Sequence, residues 1–567
     1  MSAVNSSSAP LLPVWLWIAL IAVISVVLIP LFVCAPVTSD TSLFDVQALT
    51  AMRGGVLYRD IVEPNLPGVV WVHMAVRPVI GWSSEAMRTF DLAVFVLTAS
   101  LLCGFVRCAT DRRSNATAGG LFFVLALFYL PRNEWCHCQR DSWLLLPVCA
   151  ALWLRRQRCD LALPPYLSAM AEGAFWGIAF WIKPHVAIPA LAVMAVARVR
   201  HANSTTWLRD CGWVVVGGLA AAIPGIVWLI VNGAWPHFWE MMLEWNPDYL
   251  QAGRERRSLH RLTLMFRRFS PWWAVHLAAI PLALRALHDS WHSRSDDHTR
   301  SMLAGLYLAW LVQSFWLQHA MDYIHVPEIM LAIVVIARHP WQIEASTRRV
   351  MVVASLLLAA VVAAPLQPQR LVLWAECLQR GSTPEVRAGL AQGNFPDWVA
   401  LEDVRAFLQQ QHVADRDVTC FNVHSIHLHQ ELGVLPATRY WTVLTPLTMF
   451  PRRFDQIMRT IESSGHRFVV LEERETSHDG QVRPDRFPRD YPVVFSAGSY
   501  KVYAVSGSTV ADRFPEIQGS DGAAGAASAA GDVIAVGGTS RPAAPRQTSG
   551  HFQSATRADR LDVAGQW

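Results

Sequence analysis

The sequence predicts a polytopic α-helical membrane protein of about eleven spans, followed by a small extracytoplasmic α/β domain. Three observations predict this. Apolar segments recur from residue 12 to residue 366, hydrophobic residues make up 53% of the chain against 16% charged, and beyond residue 366 the sequence turns polar and mixed. A mean hydropathy of +0.26 is too apolar for a soluble globule. The formal net charge of +4 over 567 residues suggests neither nucleic-acid binding nor a polybasic tail.

The candidate spans are 12–35, 88–107, 115–131, 141–155, 165–182, 184–198, 210–232, 270–288, 300–318, 322–338 and 349–366. No Lys or Arg precedes the first, which is therefore read as a retained span rather than a cleavable signal peptide. A further stretch, Pro67 to Trp82, contains His73, Arg77 and Pro78 and decides the sidedness of everything after it. If it lies in the interface, the clusters Arg107, Arg112, Arg113, then Arg155, Arg156, Arg158, then Arg198, Arg200, Arg209, and later Arg338, Arg348, Arg349 all fall on the inner side. It is accordingly expected to be a juxtamembrane element. One arginine group, Arg254, Arg256, Arg257, Arg261, Arg267 and Arg268, falls on the outer side, where a lipid phosphate is one candidate partner.

Residues 1–366 are thus expected to form the membrane domain, 367–518 the extracytoplasmic domain, and 519–567, rich in Gly, Ala and Ser, a disordered tail. Within the second unit, 397–411 has the spacing of an amphipathic helix, and DVTCFNV, HRFVVLEE and SYKVYAV read as strands. Cys136 and Cys138 flank His137, but a structural zinc site needs four ligands and no second cluster is evident. Cys377 and Cys420 are candidates for a disulfide if their segment faces an oxidising compartment.

With this topology four polar stretches share the outer face: LFDVQALTAMRGGVLYRDIVEPNLP (43–67), PRNEWCHCQRDSW (131–143), WIKPHV (181–186) and QHAMDYIHVPE (318–328). Ionisable groups at membrane depth are costly, so their gathering on one side points to a water-accessible site. A carboxylate just outside a span suits a general base that takes a proton from a hydroxyl. Asp45 is the first candidate, on a segment whose Phe44, Leu49 and Met52 can pack on the membrane surface. Asp60 and Glu63 belong to a loop between a Gly-Gly break and two prolines; the competing reading makes all three acids solvated partners of Arg53 and Arg59. Glu134, Arg140 and Asp141 stand at the mouth of a short span, where Asp141 can act in chemistry or cap a helix. Lys183 and His185, and farther on Tyr323 and His325 in a stretch that also holds Gln318, His319 and Asp322, supply cations and donors of the kind a phosphate leaving group needs, against the plainer readings of a snorkelling lysine and an aromatic belt.

Five segments, in order, resemble the GT-C superfamily of glycosyltransferases that use polyprenyl-phosphate sugars, especially the bacterial branch of protein O-mannosyltransferases and the lipid A aminoarabinose transferase. They are the first outer loop with its G-x-x-x-Y-R-D, VIGWSSEAMRTFDL, NEWCHCQRDSWLLLP, GIAFWIKPHVAIP and QHAMDYIHVPEIML. ELGVLPATRYWT adds a weaker likeness in the tail domain. The resemblance implies a GT-C-like multi-pass enzyme of the bacterial inner (cytoplasmic) membrane, its site facing the periplasm. It would move a sugar, with inversion, from a polyprenyl-phosphate donor to a hydroxyl on a glycan, lipid or protein of the cell envelope.

The resemblance makes Asp45 the catalytic base and Asp141 a second acid, with Lys183, His185 and His325 on the donor phosphate. Asp60, Glu63, Arg140 and Tyr323 complete the expected substrate-binding set. Metal dependence stays open, with Mg²⁺ or Mn²⁺ the candidates. The chain departs from the family pattern at Val46, where Glu is frequent, at Cys138, where Gly is usual, and at His319, where Lys is common. A transporter or flippase of lipid-linked sugars is the alternative, and would show paired half-helices in two similar halves, which the sequence lacks. A silent relative that scaffolds an envelope complex is a third reading.

Overall fold

A computed structural model describes residues 13–505 except 108–111, 159–162, 201–203, 256–257, 293–296, 319–320, 340–367, 392, 394 and 476–485. The expected span 349–366, the tail 519–567, Arg256, Arg257 and His319 lie outside the described residues.

The chain is mostly helical. Every expected span from 12–35 to 322–338 falls on a helix: α1 Val14–Cys34, α4 Ser84–Val106, α5 Arg112–Tyr129, α6 Arg140–Gln157, α7 Pro165–Ile182, α8 Ala187–Ala197, α9 Ser204–Val231, α13 Ala274–Trp291, α14 His298–Val312 and α15 Val326–Arg338. Between them lie α2 Ser39–Met52, α3 Gly68–Ile80, α10 Trp235–Glu240, α11 Asn246–Glu255 and α12 Leu259–Arg268. Among the described residues α1, α4 and α9 are long and apolar enough to cross a membrane by themselves. The 13 residues of α3 rise only about 20 Å at 1.5 Å per residue, short of a bilayer's hydrocarbon thickness.

Glycine sets the closest packing in the bundle. A Cβ on Gly173 of α7 would stand 1.9 Å from the Val214 carbonyl oxygen, and one on Gly217 of α9 would stand 1.9 Å from that of Met170. The two backbones therefore touch, as small residues allow between membrane helices. Gly68, at the start of α3, approaches the Trp181 backbone of α7 in the same manner.

The bundle core runs through Leu28, Phe95, Leu145, Val193, Leu306 and Val334. A second core joins the elements at one end of the bundle: Phe44 of α2, Tyr58 of the following loop, Val70 of α3, Trp143 of α6, and Trp245, Trp441 and Val469. The C-terminal segment is thus packed onto α2 and the loop that follows it. It holds a four-stranded sheet of order β1-β2-β4-β3, with β1 (Val418–Cys420) parallel to β2 (Phe468–Glu472) and the pairs β2–β4 and β3–β4 (Val493–Ala497, Tyr500–Ala504) antiparallel. Helix Trp398–Gln410, capped by the Asp397 carboxylate, covers one face. The expected helix and three strands are present; β3 is an additional strand, its burial too irregular to announce it. Cys377 and Cys420 do not pair: the Cys34 thiol donates to the Cys377 carbonyl, while the Cys420 thiol donates to that of Ser425.

The α7–α9 contact makes a prediction. Gly173→Leu or Gly217→Leu should force the helices apart, an overpacking cost of at least about 1–3 kcal/mol, and lower the detergent melting temperature of the purified protein. An unchanged melting temperature would show that the helices do not meet there.

Candidate functional site

Four pieces of chain converge at the end of the bundle that carries the second core. Thr38 caps α2, its hydroxyl accepting from the Thr41 amide at 3.3 Å. Arg88 of α4 donates to the carbonyls of Ala35 and Pro36, fixing the short link between α1 and α2. A turn at 134–136 leads to Gln139 and the start of α6, which places Arg140 and Asp141 in its first turn. The break between α7 and α8 places Lys183, buried, at the end of α7. Two π-helical turns, Met241–Trp245 and Gln313–Leu317, lie on either side, as such turns often do at functional sites.

The loop before α3, the start of α6, the α7–α8 break and the two π-helical turns with the residues after them enclose a cavity of about 140 Å³ whose lining includes Asn65, Arg140, Lys183, His185, Gln318 and Tyr323. Lys183 Nζ donates to Asp141 Oδ1 and to Gln318 Oε1, both at 2.6 Å. Asp141 Oδ2 makes no hydrogen bond, with Arg140 Nε 4.0 Å away. Burial holds Lys183 down to about 8, Arg140 adding to the effect and Asp141 opposing it. Lys183 thus pairs inside the site instead of snorkelling. Asp141 serves Lys183 rather than capping α6, whose cap position is Gln139.

The sequence reading passed over Asp40. It is 8% exposed, lies in the first turn of α2, and is pushed up to about 7 by burial. Arg140 and a hydrogen bond from Gln139 oppose that shift, and Glu63 and Asp141 add to it. Its neighbours are therefore the groups around the cavity. The signal was present as Thr-Ser-Asp directly after a span and Pro36, where an acid in the first turn of a helix is favoured.

Asp45 is elsewhere. Arg77 of α3 donates Nε to its Oδ1 at 2.6 Å and Nη2 to its Oδ2, and His73 Nδ1 lies 2.7 Å from Oδ1. All three side chains are fully buried, and Asp45 does not line the cavity. Both its oxygens are engaged by a guanidinium, which makes it a poor proton acceptor, and the ion pair joins α2 to α3.

Three other expected contact residues do not line this cavity. Asp60 pairs with Arg59 and accepts from the Val56 amide in a loop, away from the cavity. Glu63 is buried and takes hydrogen bonds from Gln47 and from the Asn65 amide and side chain, so it shapes the loop that delivers Asn65 to the cavity. Burial raises the Glu63 carboxyl, with Arg140 the main opposing charge. His325 is held by Glu328 at 2.5 Å among the rings of Phe269, Trp273 and Phe315, also off the cavity.

A divalent ion was the open cofactor question. Among the described residues no three His, Cys, Asp or Glu side chains converge on a metal position. Of the nearby acids, Glu63 accepts from Gln47 and Asn65, and Asp141 accepts from Lys183 through Oδ1. His137 Nε2 bonds the Tyr129 carbonyl, away from any such set.

The two acids differ in what their loss would do. Asp45→Asn leaves Arg77 buried without its counter-charge, and should cost about 3–5 kcal/mol of stability. Differential scanning fluorimetry should show a markedly lower melting temperature for Asp45→Asn than for Asp40→Asn; equal melting temperatures would remove the structural role.

No family model matches the chain, and none of the curated proteins matches it. Solved structures do. ArnT from Cupriavidus metallidurans bound to undecaprenyl phosphate aligns over 87% of this chain and 98% of its own, with TM-score 0.55 and 15% identity. The Archaeoglobus fulgidus oligosaccharyltransferase in the apo form aligns over 82% of this chain and 70% of its own, with TM-score 0.46 and 11% identity. The archaeal oligosaccharyltransferase AglB from the same organism, in complex with an inhibitory peptide and a dolichol-phosphate, aligns over 80% and 69%, with TM-score 0.45 and 11% identity. The chain shares the fold of ArnT over nearly the whole of that structure.

Proposed function

We propose that the chain is a membrane glycosyltransferase that moves a sugar from a polyprenyl-phosphate carrier to a hydroxyl acceptor on a glycan, lipid or protein. One observation carries the reading: two cations, Arg140 and Lys183, line one cavity, and the buried acid Asp40, itself not part of that lining, lies close enough to Arg140, Glu63 and Asp141 to feel their charges. The similarity to a structure that holds undecaprenyl phosphate supports the donor class. The one-sided charge of the helix ends supports a site on the periplasmic side of a bacterial inner membrane.

In the proposed reaction Asp40 takes the proton of the acceptor hydroxyl as its oxygen attacks the anomeric carbon of the sugar. The bond from that carbon to the phosphate oxygen breaks, and polyprenyl phosphate leaves with the electron pair. Attack from the face opposite the phosphate inverts the anomeric centre. Charge building on the phosphate falls on Lys183 and Arg140, which are preorganised by Asp141 and Gln318 in a site largely shielded from water. His185, whose Nδ1 has no hydrogen-bond partner, and Tyr323 are further contacts for the donor.

The shifts give the pH dependence. Asp40 must be ionised to act as base, so kcat/KM rises as pH passes about 7; Lys183 must be charged to receive phosphate, so kcat/KM falls as pH passes about 8. Label transfer from polyprenyl-phosphate sugars into acceptor should therefore trace a narrow bell. Asp40→Asn should lower kcat by roughly 10²–10⁴-fold. Lys183→Arg, always protonated, should keep measurable transfer and move the alkaline limb upward. Full activity in folded Asp40→Asn would overturn the assignment of the base.

A further inference from the structure

Every cavity-lining residue lies between Pro64 and Ile324, so the C-terminal segment adds nothing to the wall. It nevertheless reaches the helix that carries Asp40. His424 Nδ1 is 2.8 Å from the Ser39 hydroxyl and His427 Nδ1 is 2.7 Å from that of Ser42, partners separated by 385 residues in each case. Both rings are buried and fixed by aromatic neighbours: His424 packs edge-on against Trp135 and stacks on Phe395, and His427 leans on Trp398 at 4.7 Å.

The opposite side of the same turn is also held. Gln139 Nε2 donates to the Thr38 hydroxyl at 3.4 Å, and the Thr41 hydroxyl donates to the Cys138 carbonyl at 3.4 Å. Residues three apart share one face of a helix. Thr38 and Thr41 therefore bind the loop before α6 and Ser39 and Ser42 bind the two histidines, while Asp40, between them in the same turn, has Arg140 and Gln139 as its stabilising neighbours. Burial keeps both rings neutral, pushing His424 down to about 3, so each offers Ser a hydrogen bond without adding charge beside Asp40.

We infer that His424 and His427 are positioning residues of the transfer site: clamped on Ser39 and Ser42, they set the angle of the first turn of α2 and hence the direction in which Asp40 presents its carboxylate. This deepens the proposed function and rests on Asp40 being the base. A misplacement of about 1 Å at a reacting group can cost on the order of 10²-fold in rate, so loosening one turn is enough to matter. The C-terminal segment then belongs to the catalytic machinery without touching substrate.

The test uses the full-length protein in two independent arms. In the first, Ser39→Ala with Ser42→Ala removes both hydroxyls with little change of volume. Transfer from a polyprenyl-phosphate sugar should then lose on the order of 10-fold or more in kcat at unchanged donor KM. His424→Leu with His427→Leu should do the same, while the corresponding His→Asn pair, which can place a nitrogen near Nδ1, should recover most of the rate. In the second arm, hydrogen exchange of amides 39–46 should quicken in the Ala and Leu variants and not in the Asn pair. Wild-type kcat and wild-type exchange in the Ser39→Ala, Ser42→Ala protein would overturn the clamp. If the wild type transferred nothing, the transferase reading would fall, and the exchange arm would still decide whether the histidines hold α2.

Discussion

The site depends on a lysine kept charged inside protein. Lys183 ends α7, at a break before α8 where the apolar run is interrupted, and without a partner its ammonium would be expelled or neutralised. Asp141 from α6 and Gln318 from the stretch before α15 supply two short bonds. That single contact fixes three helices relative to one another at the level of the cavity. It also leaves one oxygen of Asp141 unbonded, with Arg140 4.0 Å away, so that two cations share one carboxylate at the cavity.

The rest of that end of the bundle holds charged groups in the same economical manner. Asp45, Arg77 and His73 form a closed triad that spends its charge on architecture, joining α2 to α3. Five residues earlier on the same helix, Asp40 has no guanidinium across both oxygens, and its proton is held by burial. Two carboxylates within two helical turns are thus given opposite tasks by what faces them. The same contrast separates His325, sealed with Glu328 among aromatic rings, from His185, which lines the cavity.

Periodicity and hydropathy made the helices legible, since each apolar run states its own length and each break carries Gly, Pro or charge. The four polar stretches were also legible as one face, because parity of the spans brings them together. Arg140, Lys183, His185 and Tyr323 do meet at one cavity. The engagement of Asp45 was not legible, because it turns on Arg77, 32 residues away, arriving on α3 at the height of Asp45. Nor could the sequence show that histidines 424 and 427 reach back to α2, for that contact spans 385 residues and crosses two cores.

Affinity for the donor's phosphate tests the account most directly. Binding of undecaprenyl phosphate to the full-length protein would be measured for the wild type, Lys183→Gln and a second-site control, Arg53→Gln, whose side chain bonds Asp415 and the Gly433 carbonyl away from the cavity. The account predicts that Lys183→Gln weakens binding roughly tenfold or more, the scale of one lost charge-assisted contact, and that the control binds like the wild type. Equal affinity in Lys183→Gln and wild type, or no binding by either, would contradict it.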